Sequence, residues 1–271
     1  MSASFAPPPP QPVLKRELDR VEKFFEHFGE VSTLAARSFK ALFTTRFEPA
    51  SFVYQIEQLG VRSLGIGAAT AIFVGIVMAI QFAFSLEKFG AKDTVGRIVG
   101  LSEVRELAPS LTALVVGSRI AAGMAAELGS MAVTEQIDAI RALGADPIKK
   151  LVVPRLIAST MVMPVLCALA LVLGFGGAML ICAVEFDIPP GFFLRTALGS
   201  VNFKDYASGM YKTPFFGAII AIIGCHFGLI TRGGTEGVGQ STTRTVVSIS
   251  IAILVADFIL TKISVIVFPG R

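Results

Sequence analysis

Five long apolar runs, each set off by charged residues, dominate the hydrophobic and polar pattern of this chain. Ser63–Leu86 is a charge-free run of 24 residues between Arg62 and Glu87. Leu107–Ala126 is interrupted only by Arg119, and Leu156–Val184 is charge-free for 29 residues, with Pro164 a candidate kink. Thr213–Thr231 holds 19 uncharged residues between Lys212 and Arg232, and Thr245–Phe268 carries Asp257 and Lys262. A helix needs about 20 apolar residues to cross the hydrocarbon core of a bilayer, so each run predicts a transmembrane helix. Ahead of them the pattern changes. Leu14, Leu18, Val21, Phe25 and Phe28 recur at spacings of 4, 3, 4 and 3, and Val31, Leu34, Phe39 and Leu42 continue the stripe. Lys15, Arg16, Glu17, Arg20, Lys23 and Glu26 occupy the other face. That pattern predicts an amphipathic helix within 14–47, broken near Gly29 and lying in the membrane plane. Its alternative is a soluble helix packed on a cytoplasmic partner.

The expected fold class is an all-α integral membrane protein. Residues 1–13, with the Pro7–Pro10 run and no apolar core of a signal peptide, are expected to form a disordered tail. The interfacial amphipathic helix follows, and residues 48–271 form the five-helix membrane domain. Composition agrees, with 53% apolar residues, only 16% charged residues and a mean hydropathy of +0.70. A soluble domain carries about 25% charged residues. The net charge of +4 and pI of about 9.1 do not point to nucleic acid, because the basic residues lie between apolar segments. With the N-terminus inside, 15 of the 24 Lys and Arg fall on the cytoplasmic side, which predicts an N-in, C-out orientation. An odd number of spans also disfavours two equal inverted halves.

The connection from Glu127 to Gly144 is the most informative segment. Met131, Ile137, Ile140 and Leu143 are candidates for one helical face, with Glu135, Asp138 and Arg141 on the other. Gly144 suits the position after a helix end, and Pro147 forbids continuation. Such a helix either presses into a motor subunit or merely closes a surface loop. Charges inside spans are functional candidates, because burying one unpaired is costly. Arg105 and Glu106 stand at the outer end of the second span, as interface residues or as a polar anchor for a ligand. Arg119 and Asp257 lie deeper, and Asp257 is expected to pair with Arg244 or Arg119. His27 and His226 are the only histidines and lie far apart in the chain, so no metal site is expected. His226 reads as a hydrogen-bonded helix contact. Cys167, Cys182 and Cys225 read as small buried hydrophobes. Gly65, Gly67, Gly75, Gly174, Gly176 and Gly177 are candidates for close helix approach. No Gly-Lys dipeptide is present, so there is no P-loop and any ATP hydrolysis belongs to another chain.

The run ELGSMAVTEQIDAIRALGADP (127–147), followed by LVVPR (151–155), resembles the signature of the MlaE (YrbE-like) permease family. RELAP (105–109), DFILT (257–261) and the glycine-rich stretch GGTEGVGQSTTRTVVSIS (233–250) extend the resemblance over roughly residues 50 to 268. The glycine run at 233–239 reads as a flexible cytoplasmic connector. The resemblance implies a homodimeric permease of an ABC transporter, non-catalytic, with no cofactor bound by this chain and ATP and Mg on a partner ATPase. It further implies a periplasmic MCE-domain partner and phospholipid transport between the inner and outer membranes of Gram-negative bacteria. Arg105 and Glu106 would then border the lipid cavity. Glu127, Met131, Glu135, Asp138, Ile140, Arg141 and Gly144 would couple to the ATPase. The competing expectations are an ion-coupled carrier or channel, and a membrane scaffold for such partners.

Overall fold

The computed structural model describes residues 13–44 and 49–267, and these are helical with no strand among them. The tail expected at 1–13 lies, except for Val13, outside the described residues. The helices are α1 (Val13–Leu42), α2 (Pro49–Leu59), α3 (Leu64–Glu87), α4 (Val95–Ser102), α5 (Ala108–Val133) and α6 (Gln136–Ala142). They continue with α7 (Val153–Glu185), α8 (Pro190–Ser200), α9 (Phe203–Met210), α10 (Lys212–Leu229) and α11 (Gly234–Val267). Among the described residues, five stretches are long and apolar enough to cross a membrane: Ser51–Glu87, Lys92–Val133, Ile148–Glu185, Phe203–Leu229 and Gly234–Val267. The count matches the five apolar runs.

Helix α10 sits at the centre of the bundle, against α5, α7 and α11, and α3 packs on α7. The main core joins Met124, Leu128, Met163, Phe216, Ile220, Ile249 and Ile253 from α5, α7, α10 and α11. The α3–α7 contact follows from a four-residue repeat of small side chains. Ala71, Gly75, Ala79 and Ala83 are the buried residues of α3, while Phe73, Val77 and Phe84 point outward, more than half exposed. A Cβ on Gly75 would collide with the backbone of Gly174, so the two helices touch there main chain to main chain. Of the glycines expected to serve close approach, Gly65 and Gly176 face open space instead. A second core, with Val95, Val99, Phe193 and Ala197, packs α4 and α8 over the end of the bundle where α3 and α7 finish. Val172 of α7 and Ile251 and Phe258 of α11 are also more than half exposed. Such apolar outer faces suit hydrocarbon rather than water.

Three expectations are corrected. Helix α1 runs through Gly29 without a break. The segment 127–144 is not one helix: α5 continues to Val133, Glu135 takes a left-handed φ of 58°, and α6 covers only seven residues. The glycine run at 233–239 is not a flexible connector either. Gly233 and Gly234 turn the chain with φ of 92° and 68°, and the rest of the run forms the first turns of the 34-residue α11. Glycine tolerates such a φ, and the helix then proceeds on its intrinsic hydrogen bonds.

Candidate functional site

A single π-helical turn, Glu103–Leu107, joins α4 to α5 and carries Glu103, Arg105 and Glu106. One extra residue per turn redirects side chains that an α-helix would leave on a different face, and such turns recur at functional positions. Arg105 donates from Nε to Asp205 Oδ1 at 2.8 Å, with Nη2 on the same oxygen. Asp205 is itself held at the start of α9, where it accepts the Asn202 backbone N–H at 2.8 Å. The guanidinium remains half-exposed, whereas the Asp205 carboxylate is almost wholly enclosed.

Glu106 faces the other way. Its Oε2 lies 2.7 Å from Lys212 Nζ, and the Thr261 hydroxyl approaches the same carboxylate at 3.2 Å. Lys212 Nζ also donates to Thr261 Oγ1 at 2.7 Å and to Asp257 Oδ1 at 3.2 Å, and its side chain is fully buried. Lys212 therefore does not mark the outer boundary of the fourth span, as the run pattern suggested. It is the central cation of a network joining the π turn, α10 and α11. Asp257 finds its partner there, correcting the expected pairing with Arg244 or Arg119. Two further polar contacts tie α11 to this region: Ser208 with Ser264, and the Tyr211 hydroxyl with the Leu260 carbonyl. A buried ion pair is tolerated only when its charges are mutually satisfied, and the Glu106, Asp257 and Thr261 oxygens around one ammonium, with the Arg105 carbonyl at 3.3 Å, meet that condition.

Glu103 was not singled out from the sequence. Its side chain is buried against Gly174, Oε2 has no hydrogen-bond partner among the described residues, and it lines a small cavity with Thr70, Thr112 and Ala170. Only its place beside RELAP could have marked it.

At the opposite end of the bundle, Arg119 Nη1 donates to Ser63 Oγ at 2.7 Å. Together with Gln55, Arg62, Gly123 and Glu127 it lines a cleft of about 280 Å³ between α2 and α5. Glu127 lies on α5 and forms a 2.8 Å ion pair with the buried Arg155 of α7, and Met131 lies one turn further along α5. Helix α6 presents Asp138 and Arg141 as an exposed pair 2.7 Å apart. Ile137 is its buried anchor, Ile140 is half-buried, and Leu143 is 86% exposed, outside the face expected for it. Gly144 (φ 76°) ends the helix: its N–H reaches Arg141 O, and the next N–H, from Ala145, reaches Ile140 O. That is a Schellman termination. His27 and His226, far apart in the chain, come together with ring centroids 6.0 Å apart.

This fold defines a multi-pass helical membrane protein with charged clusters at both ends of its bundle. The family profile described as Permease MlaE matches residues 52–263, and the chain belongs to that family. It is 40% identical over 237 residues to a probable ABC transporter permease protein of Synechocystis sp., covering 88% of this chain and 90% of that protein. It is 39% identical over 208 residues to protein TRIGALACTOSYLDIACYLGLYCEROL 1, chloroplastic, of Arabidopsis thaliana, covering 77% of this chain and 59% of that one. A probable ABC transporter permease protein of Rickettsia conorii is 34% identical over 244 residues, 90% of this chain and 94% of its own. The resemblance noted from the motifs therefore holds over most of the chain.

Proposed function

We propose that the chain is the membrane permease subunit of an ABC transporter moving phospholipid or a related lipid between inner and outer membranes. It works as a homodimer, oriented N-in and C-out in a Gram-negative inner membrane. A separate cytoplasmic ATPase supplies the energy, and an MCE-domain protein receives or delivers the lipid. Family membership is the observation that carries the reading. The name of the Arabidopsis relative, which is that of a galactosylated diacylglycerol, supports lipid as the cargo.

The geometry supplies a mechanism for holding such a cargo. The half-exposed Arg105 is aimed by a buried carboxylate that occupies Nε and Nη2, leaving Nη1 for a phosphate oxygen. Glu106 braces the same turn through Lys212. The acyl chains would lie along the outward apolar faces of α3 and α11. Loss of one charge-assisted hydrogen bond costs about 1.5–3 kcal/mol, roughly a ten- to hundredfold fall in affinity. Arg105→Ala is therefore expected to reduce ATP-driven lipid transfer in proteoliposomes carrying the ATPase, with complex assembly retained. Arg105→Lys, which keeps the charge but loses the planar fork, is expected to be intermediate. Full transfer and unchanged co-purifying lipid in Arg105→Ala would overturn the assignment.

Glu103 favours a second reading, an ion-coupled carrier, because a buried carboxylate whose Oε2 has no hydrogen-bond partner among the described residues, lining a cavity inside a bundle, suits a proton site. Transport that needs a proton gradient but no ATP, and that fails in Glu103→Gln, would select it.

A further inference from the structure

We propose that His27, Glu30 and His226 form a binding site for a divalent transition-metal ion, which clamps α1 to the C-terminal end of α10. His27 and Glu30 are three residues apart on α1 and so share one face of that helix. His226 projects from the last turn of α10. Glu30 Oε2 lies 3.5 Å from His27 Nδ1 and 3.7 Å from His226 Nε2, and the three ligand atoms all fall within 4.8 Å of one another. A tetrahedral ion with bonds of about 2.0–2.1 Å holds its ligands roughly 3.4 Å apart, so the two Glu30 separations are already close to that spacing and side-chain rotation within the 4.8 Å group closes the rest.

A second observation points the same way. His226 is only 3% exposed, and its Nε2 has no hydrogen-bond partner among the described residues. At 3.7 Å the Glu30 carboxylate is too far to accept a hydrogen bond from it. A buried polar atom left unpaired is costly in water-excluded surroundings, and a metal ion removes that cost by accepting the nitrogen lone pair. His27 and Glu30 stand about half-exposed, so an ion has a path from solvent to the buried imidazole. The Phe227 ring lies 5.2 Å from His226 and 6.1 Å from His27, which walls the site with apolar surface on one side.

Two imidazoles and one carboxylate select Zn²⁺ and its first-row neighbours over Mg²⁺ and Ca²⁺, which prefer all-oxygen sets. Three protein ligands leave at least one coordination position for water. The site stands apart from the lipid cluster around Arg105 and does not depend on the cargo. Because its ligands come from two helices, metal binding stabilises the docking of α1 on the bundle.

The test uses the full chain, tag-free, purified in detergent and stripped with a chelator. Zn²⁺ titration by calorimetry is expected to show one ion per chain, and Co²⁺ substitution to give the visible absorption bands of a low-symmetry site. His27→Ala, Glu30→Gln and His226→Ala are each expected to weaken Zn²⁺ binding at least tenfold and to bleach the Co²⁺ bands. His27 and Glu30 are half-exposed, so their variants keep the fold, as helical circular dichroism will report, even where His226→Ala does not. Absence of saturable Zn²⁺ binding to the unsubstituted chain, or binding unchanged in both His27→Ala and Glu30→Gln, overturns the site and leaves a pair of packed histidines.

Discussion

Lys212 places a full charge inside an apolar bundle. Its ammonium is enclosed and is shared by Glu106, Thr261 and Asp257. Removing one member of a buried ion pair costs about 3–5 kcal/mol, because the remaining charges stay desolvated, whereas removing all the charges together is often neutral. Lys212→Met is therefore expected to lower the thermal-unfolding midpoint in detergent markedly. The combination Lys212→Met, Glu106→Gln, Asp257→Asn is expected to recover most of the loss. A single variant as stable as the triple one would show that the network contributes no coupling. Arg105 differs in kind. Its ion pair with Asp205 leaves the guanidinium half in contact with the surroundings, so its substitution should be read in transport before stability.

Among the elements, the α3–α7 pair and α6 invite opposite changes. Replacing Gly75 by leucine forces side-chain atoms into the Gly174 backbone, and overpacking of this kind costs about 1–3 kcal/mol or more. Gly65→Leu adds the same atoms to the same helix where nothing lies within reach, and is expected to be near neutral. A thermal-unfolding comparison of the two isolates backbone approach from helix propensity. In α6 the strain can be relieved instead. Glu135 holds a left-handed φ of 58° that costs a side-chain-bearing residue about 1–2 kcal/mol. Glu135→Gly is expected to slow amide hydrogen exchange across Gln136–Ala142, and Gly144→Ala, at φ 76°, to quicken it. If Glu135 also meets the ATPase, Glu135→Gly will bind that subunit less well while its helix is better ordered. That combination separates docking from folding.

For the whole molecule, the prediction concerns which end faces out. Phe89 and Leu143 are 83% and 86% exposed and lie at opposite ends of the bundle. The three native cysteines are buried and should give little background. In intact spheroplasts, Phe89→Cys is expected to react with a membrane-impermeant maleimide, and Leu143→Cys only after permeabilisation. The reverse pattern would invert the orientation drawn from the basic residues.

Five apolar runs of about 20 or more residues needed no knowledge of neighbours to be read as spans, because a bilayer imposes its thickness on each run separately. The end of α6 was equally local, since a glycine in the left-handed region and a proline just beyond it stop a helix by their own backbone chemistry. The family signature is also linear and covers residues 52–263. The partners of the charges were decided in three dimensions. Asp257 and Glu106 reach Lys212 across 45 and 106 residues of chain. Which of several basic residues they meet depends on how the helices rotate about one another. That rotation is set by small-residue stripes such as Ala71, Gly75, Ala79 and Ala83 pressing against a neighbour. Such contacts have no periodicity of their own to report the partner. Likewise, Glu127 is tied to Arg155, and His27 meets His226, only because whole helices pack side by side. The membrane decided the elements one at a time, whereas the polar clusters came from the sum of their packing.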